Sequence, residues 1–290
     1  AMSWRTVVIT KRCKLDVKLG YLVVRDEETS KIFLDEIALL VIENPAVSLT
    51  VCLLEALKEK KIKTVFCDSQ HLPMAELVPY SDCYDDVQRV KAQIRWSEEI
   101  KDLVWAEIIR DKISKQAEFL DELNLSHESH LLMNYTEDVA EGDITNREGH
   151  AAKVYFNALF GKEFTRGVTD DINAALNYGY TVIMAMFSRE ITSSGYLTQL
   201  GIFHDNQFNH YNLACDIMEP FRILVDRVVY SFGRGNFDRE QKRGLLDILN
   251  SEVTIDNRRQ TVINASRVYS RGIFDALSSN DITKIKVYRR

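Results

Sequence analysis

The sequence predicts an α+β two-domain protein, with a small β-rich N-terminal domain followed by a larger all-α C-terminal domain. Two observations carry this prediction. Three of the four prolines and most of the short β-branched runs fall within the first 80 residues, the punctuation expected of strands. Beyond them, apolar residues recur every three or four positions through long stretches free of Gly and Pro, which is the period of a helix. A length of 290 residues allows two unequal units, each able to bury a core. The β domain is placed over residues 2–75, a linker over 76–86 and the helical domain over 87–290.

In chain order, Trp4 to Thr10 is rich in β-branched residues, and Gly20 to Arg25 and Lys31 to Leu34 are short apolar runs bounded by turn or charged residues. A helix over Val51 to Lys60 follows, N-capped by Ser48 or Thr50, with Lys58, Lys60 and Lys61 suiting its C-terminal dipole. Lys63 to Cys67 reads as a returning strand. Pro73 to Asp86 mixes Pro, Tyr, Ser and acidic residues without a period, as a linker does.

Val87 to Leu123 then carries the helical spacing Ile100, Leu103, Val104, Ile108, Ile109, restarting at Ser97 with Glu98 and Glu99. A polar connection is expected over Asn124 to Asp143. Helices are expected over Arg147 to Phe160, over Asp171 to Ser194 with Asp170 or Asp171 as cap and Gly195 as stop, and over Asn212 to Tyr230, the last kinked or divided by Pro220. Gly179, inside a helical pattern, costs about 1 kcal/mol against Ala and points to close helix packing.

Composition limits the function classes. Hydrophobic residues make up 46% and charged residues 28%, so disorder is not indicated. No stretch reaches about 18 consecutive apolar residues and the first residues lack a signal-peptide core, so a cytoplasmic protein is expected. The cysteines, Cys13, Cys52, Cys67, Cys83 and Cys215, form no C-x-x-C pair, which disfavours a zinc ribbon or a disulfide framework. The net charge of −6 argues at first against a nucleic-acid protein. It is unevenly spread: residues 1–80 are neutral, residues 81–229 carry 14 basic against 25 acidic groups, and residues 230–290 carry 12 against 7.

The most informative constellation is Glu148, His204, Asp216 and Glu219. On a helix, the i, i+3 spacing puts Asp216 and Glu219 on one face. Carboxylates with one imidazole suit Mg²⁺ or Mn²⁺. Each residue has a plainer alternative. Thr145 to Glu148 fits a Thr-x-x-Glu capping box, His204 can be a structural histidine, and Asp216 and Glu219 can be a solvated helix face. Other candidates are weaker. His127 and His130 form an H-x-x-H pair without a partner carboxylate motif, Gly233-Arg234-Gly235 is no P-loop, and no G-x-S-x-G elbow occurs.

The ordered series Asn146-Arg147-Glu148-Gly149, Asp171 to Tyr180, Gln199 to His204 and Leu213 to Arg222 closely resembles the CRISPR-associated spacer-acquisition integrase/endonuclease family. Trp4 to Val8 and Phe66-Cys67-Asp68 look like its type II-A branch. The resemblance covers roughly residues 2–230. It implies an N-terminal β domain that mediates homodimerisation and a helical catalytic domain. It implies a metal held by Glu148, His204 and Glu219, with Asp216 in support, and an enzyme that joins prespacer 3′-OH ends into the CRISPR repeat by transesterification. With water as nucleophile the same site would be a nuclease.

The implied partners are prespacer and repeat DNA, a second copy of the chain, and a small CRISPR-associated partner completing a heterohexamer. In the type II-A branch a ring-forming DNA-end protein and the effector nuclease are added. The acidic charge departs from the family's often basic character. DNA contact is therefore expected from local groups such as Arg147, Lys153, Arg166, Arg189 and Arg222 or from the basic tail, with weak, salt-sensitive binding by the chain alone. The alternatives are a metal-dependent nuclease of branched DNA and a non-enzymatic DNA-binding scaffold.

Overall fold

The computed structural model describes residues 5–69, 73–78, 86–233 and 235–289. The N-terminal part comprises β1 (Arg5–Ile9), β2 (Lys14–Lys18), β3 (Tyr21–Arg25), β4 (Thr29–Phe33), β5 (Ile37–Ile42), β6 (Ser48–Leu49), α1 (Val51–Glu59), β7 (Lys63–Cys67) and β8 (Pro73–Glu76). They form two four-stranded sheets, ordered β1-β5-β7-β8 and β4-β3-β2-β6. In the first, β1, β5 and β7 run parallel and β8 returns antiparallel. Leu15, Leu22, Leu40, Leu53 and Leu57 fill a small core between the sheets and α1.

Strand β5 reads Ile-Ala-Leu-Leu-Val-Ile and is buried throughout. Leu40 and Ile42 face the small core, while Ala38, Leu39 and Val41 join the helical core. A strand covered on both faces loses the polar–apolar alternation that marks a half-exposed one, so β5 is not named among the expected strands. The linker reading needs a correction as well. Pro73–Glu76 is an edge strand on β7, a position that tolerates proline, and α2 already begins at Asp86. Residues 79–85, and Trp4, lie outside the described residues.

The C-terminal part contains α2 (Asp86–Ile94), α3 (Glu98–Glu122), α4 (Ser126–Glu137), α5 (Arg147–Phe160), α6 (Asp171–Ser193), α7 (Asn212–Ile217), α8 (Arg222–Phe232), α9 (Arg239–Asp247), β9 (Glu252–Ile255), β10 (Arg258–Thr261), α10 (Val262–Ser279) and β11 (Tyr288–Arg289). Ser97 caps α3 by accepting from Ile100 N–H, and Asp170 caps α6 through Asn173 N–H. Pro220 divides the Asn212–Tyr230 pattern: α7 stops, Glu219–Phe221 makes one 3₁₀ turn, and α8 restarts at Arg222. Helix α6 is buried along nearly its whole length, as a central helix must be when other elements surround it. At its midpoint Gly179 has no room for a side chain, since a Cβ there would lie 2.4 Å from Val225 Cγ1 of α8.

Two expectations fail here. The polar connection over Asn124 to Asp143 contains α4, whose Leu132 is fully buried and whose Ser129 hydroxyl donates to the Ala117 carbonyl of α3. Two buried groups per helix suffice when the remaining faces meet water, and so weak a periodicity is easily read as loop. The C-terminal part is also not all helical, because β9, β10 and β11 form an antiparallel sheet ordered β10-β9-β11.

Candidate active site

Glu148 sits in the first turn of α5, which starts differently from a Thr-x-x-Glu box. The N-cap is Asn146, in the left-handed region at φ +51°, whose side chain accepts from Gly149 N–H. Asp143, itself at φ +47°, takes the N–H groups of Arg147 and Glu148 at 2.8 and 2.9 Å. With the free backbone donors of the first turn met by two other side chains, the Glu148 carboxylate is released from capping and turns to Lys112, whose Nζ lies 2.6 Å from Oε1.

Asp216 and Glu219 do not form a solvated face. Asp216 is fully buried at the end of α7 and is fixed by four donors. Its Oδ2 accepts from the N–H of Ile202 at 2.5 Å and of Phe203 at 3.1 Å, and its Oδ1 from His204 N–H at 3.1 Å. The fourth partner is His204 Nδ1, 2.5 Å from Oδ1. A carboxylate can only accept, so Nδ1 carries the proton, and in the neutral imidazole Nε2 keeps its lone pair. This is the arrangement by which metal-binding imidazoles are oriented. The hydrogen bond to Asp216 raises the His204 pKa, against the opposing effect of burial.

Glu219, in the 3₁₀ turn before α8, is 3% exposed and held between two cations. Its Oε1 accepts from Arg222 Nε at 2.8 Å, and Lys112 Nζ stands 2.6 Å from Oε2. Burial works against its charge, but Arg222 and Lys112 outweigh this and lower its pKa. Lys112 is 7% exposed; burial opposes its charge too, and Glu219 with Glu148 overcome it to raise its pKa. Arg222 stacks on the Tyr180 ring at 4.6 Å. Below it, buried Asp226 accepts from the hydroxyls of Tyr180 at 2.5 Å and Tyr155 at 3.1 Å, and burial raises its pKa to about 6.

The loop that carries His204 is held tightly. Trp105 of α3 stacks on Phe203 with centroids 4.4 Å apart and meets the His204 ring edge-on. Gly201 allows the close turn, since a Cβ there would lie 2.2 Å from the His204 carbonyl oxygen and 2.7 Å from Asp216 Oδ2. Neither Lys112 nor Gly201 is singled out by the sequence reading. The signal for Lys112 was a charge on the buried stripe of α3, set at helical spacing from Ile108 and Ile109.

Among the described residues, no three His, Cys, Asp or Glu side chains are gathered closely enough to enclose a metal ion. The donor set nevertheless fits one. Glu219 Oε2 is buried and accepts no hydrogen bond, Lys112 places a positive charge between Glu148 and Glu219, and the His204 Nε2 lone pair is uncommitted to Asp216. Oxygen donors with one imidazole match Mg²⁺ or Mn²⁺.

The candidate DNA-contacting arginines separate. Arg189 is buried, with its Nε donating to the Lys61 carbonyl of the β domain at 2.9 Å and its Nη1 paired with Glu190, so it ties the two parts together. Arg222 belongs to the acidic site. Arg166 donates to Asn173 and Asn177 at 2.6 and 2.7 Å. Arg147 pairs with Asp138 at 3.2 Å and lies over Tyr135. Lys153 is exposed on α5, as are His127 and His130 on α4.

Comparison with known proteins bears on this geometry. A family profile described as CRISPR associated protein Cas1 matches residues 6–247. The chain is 35% identical over 270 residues to a CRISPR-associated endonuclease Cas1 of Neisseria meningitidis serogroup C (strain 8013), covering 91% of this chain and 89% of that protein. It is 27% identical to one from Francisella tularensis subsp. novicida, covering 88% and 87%. Its fold is similar to a casposase bound to integration product, with TM-score 0.76 and 19% identity over 97% of this chain and 93% of that one. It is also similar to a chain of a Cas6-RT-Cas1–Cas2 complex, with TM-score 0.75 and 18% identity, covering 100% of this chain and 36% of that longer one. With the profile spanning most of its length and one relative at this identity along nearly all of it, the chain belongs to the Cas1 family of CRISPR-associated proteins.

Proposed function

We propose that the protein is a divalent-metal-dependent DNA integrase of CRISPR adaptation, joining the 3′-OH ends of a prespacer into the repeat by direct transesterification. The observation that carries this reading is the convergence of Glu148 and Glu219 on one point of positive charge beside a histidine whose Nδ1 is committed to Asp216. Glu148, His204 Nε2 and Glu219 would hold Mg²⁺ or Mn²⁺, which when bound supplies Lewis-acid stabilisation of phosphate oxygens. Asp216 fixes the imidazole, Arg222 fixes Glu219 from its other oxygen, and Asp143 fixes the backbone under Glu148. In the reaction the prespacer 3′ oxygen attacks a repeat phosphorus and the P–O bond to the repeat 3′ oxygen breaks. One phosphodiester replaces another, so catalysis rests on positioning and charge stabilisation.

The relatives' name, CRISPR-associated endonuclease Cas1, supports strand cleavage chemistry. The Cas1–Cas2 complex and the DNA-bound casposase among the similar folds support DNA and a small Cas2-type partner as ligands. The test mixes the chain and its partner with Mn²⁺, labelled prespacer and a repeat-bearing plasmid. Joining is expected with 3′-OH ends, none with 3′-blocked ends, and a loss of at least about 10²-fold in Glu148→Ala with unchanged melting. Joining that persists with blocked ends overturns transesterification. Full joining by Glu148→Ala overturns the site.

A further inference from the structure

We propose that Lys112 is a resident cation of this site: it holds Glu148 and Glu219 together before a divalent ion arrives, competes with that ion for them, and supplies a second positive charge beside the phosphate during strand transfer. The inference rests on the metal-dependent reading above and deepens it.

The geometry is specific. Lys112 projects from the buried face of α3 and its Nζ lies 2.6 Å from Glu148 Oε1 of α5 and 2.6 Å from Glu219 Oε2 before α8. One ammonium thus ties three segments that are distant in sequence. A lysine with an 8% exposed side chain is tolerable only when paired, and here both partners are the carboxylates that the divalent ion would need. The contact to Glu219 has the distance of an ion pair without the geometry of a hydrogen bond. Arg222, the other cation, is pinned by its Nε bond to Glu219 and by the Tyr180 ring. Lys112 has a flexible four-carbon stem and a compact charge that can shift within the site.

Charge balance gives the second role. With a neutral imidazole at neutral pH, Glu148, Glu219, Asp216 and Asp226 set four negative charges against the two positive ones of Lys112 and Arg222. A divalent ion offsets this excess and leaves the loaded site neutral. Without Lys112 the loaded site would keep a net negative charge, which repels a phosphodiester monoanion and stabilises the added charge of a pentavalent phosphorus far less well.

The test uses the whole chain with Lys112→Met, Lys112→Gln as a second neutral variant, and Lys112→Arg. Free Mn²⁺ is titrated by EPR, strand joining is measured in single turnover with the partner present, and melting is followed in EDTA. The neutral variants are expected to bind Mn²⁺ about tenfold or more tightly while joining about 10²-fold more slowly at saturating Mn²⁺; Lys112→Arg should regain most of the joining and bind Mn²⁺ close to wild type. A purely structural lysine predicts the opposite for the metal, namely weaker binding as the carboxylates splay. Neutral variants that bind Mn²⁺ no more tightly than wild type, or that join at the wild-type rate, overturn the proposal. If Glu148→Ala abolishes Mn²⁺ binding while the neutral variants leave it unchanged, only the resident cation falls. If Glu148→Ala binds Mn²⁺ like wild type, the metal site itself falls and the resident cation with it.

Discussion

Asp226 carries a burial cost that its neighbours reduce without removing. It is 1% exposed and accepts from two tyrosine hydroxyls, which favour the carboxylate, yet burial dominates and holds its pKa at about 6. In the unfolded chain an aspartate releases its proton near pH 4. Between roughly pH 4 and 6 the folded state therefore holds more protons than the unfolded one. The stability contributed by this group is complete below about pH 4 and is lost as pH rises through about 6. The displacement of about two pH units corresponds to roughly 3 kcal/mol. Asp226→Asn is expected to flatten the stability profile across that window, as read from urea midpoints at pH 4, 5, 6 and 7; a profile parallel to wild type would refute it. Tyr180 links this pair to Arg222 and so to Glu219.

Two glycines decide how neighbouring elements meet. At Gly179 an alanine would gain about 1 kcal/mol in helix propensity, but its Cβ would meet Val225 Cγ1 at 2.4 Å and Leu245 Cδ2 at 3.1 Å. Overpacking wins, and Gly179→Ala is expected to lower stability by about 1–3 kcal/mol in thermal melting with the site chemistry retained. At Gly201 the obstacles are the His204 carbonyl and the Asp216 carboxylate. Neither can yield without undoing the bonds that orient the imidazole. Gly201→Ala is therefore expected to lower the melting temperature at least as much as Gly179→Ala does and, assayed below that temperature, to cut strand joining by about 10²-fold. Wild-type joining by Gly201→Ala would show that the Gly201 loop is not what holds His204.

Across the whole molecule, the chain's last residues serve the site. Tyr288 of β11 is buried, its hydroxyl donates to the Pro220 carbonyl at 2.8 Å, and Lys115 Nζ lies 4.1 Å from its ring centroid. The terminal strand thus supports the turn that presents Glu219. Charge works on the same scale: residues 81–229, which hold the site, carry 14 basic against 25 acidic groups. Such a body gives DNA little long-range attraction. With Arg189 buried and Arg222 occupied by Glu219, binding by this chain alone is expected to be weak and to fall further with salt. A plot of log K against log salt, with and without the small partner, checks this, and tight partner-free binding at physiological salt would contradict it.

The sequence by itself determined the elements whose physics is local. Ser97 and Asp170 cap where their side chains reach backbone N–H groups three residues on, Pro220 divides the helix because it lacks an N–H, and Gly179 marks close packing. The quoted motifs also led to Glu148, His204, Asp216 and Glu219, the residues now found around one cluster of charge. Tertiary structure decided the rest. β5 lost its alternation because cores lie on both of its faces. Glu148 escaped its capping box because Asp143 and Asn146 reached the backbone first. Arg189 turned inward to the Lys61 carbonyl, 128 positions away in the chain. Lys112 acquired its two carboxylates from segments that no helical period connects to it. A side chain's partner is fixed by which elements pack together, and periodicity records only which face is buried.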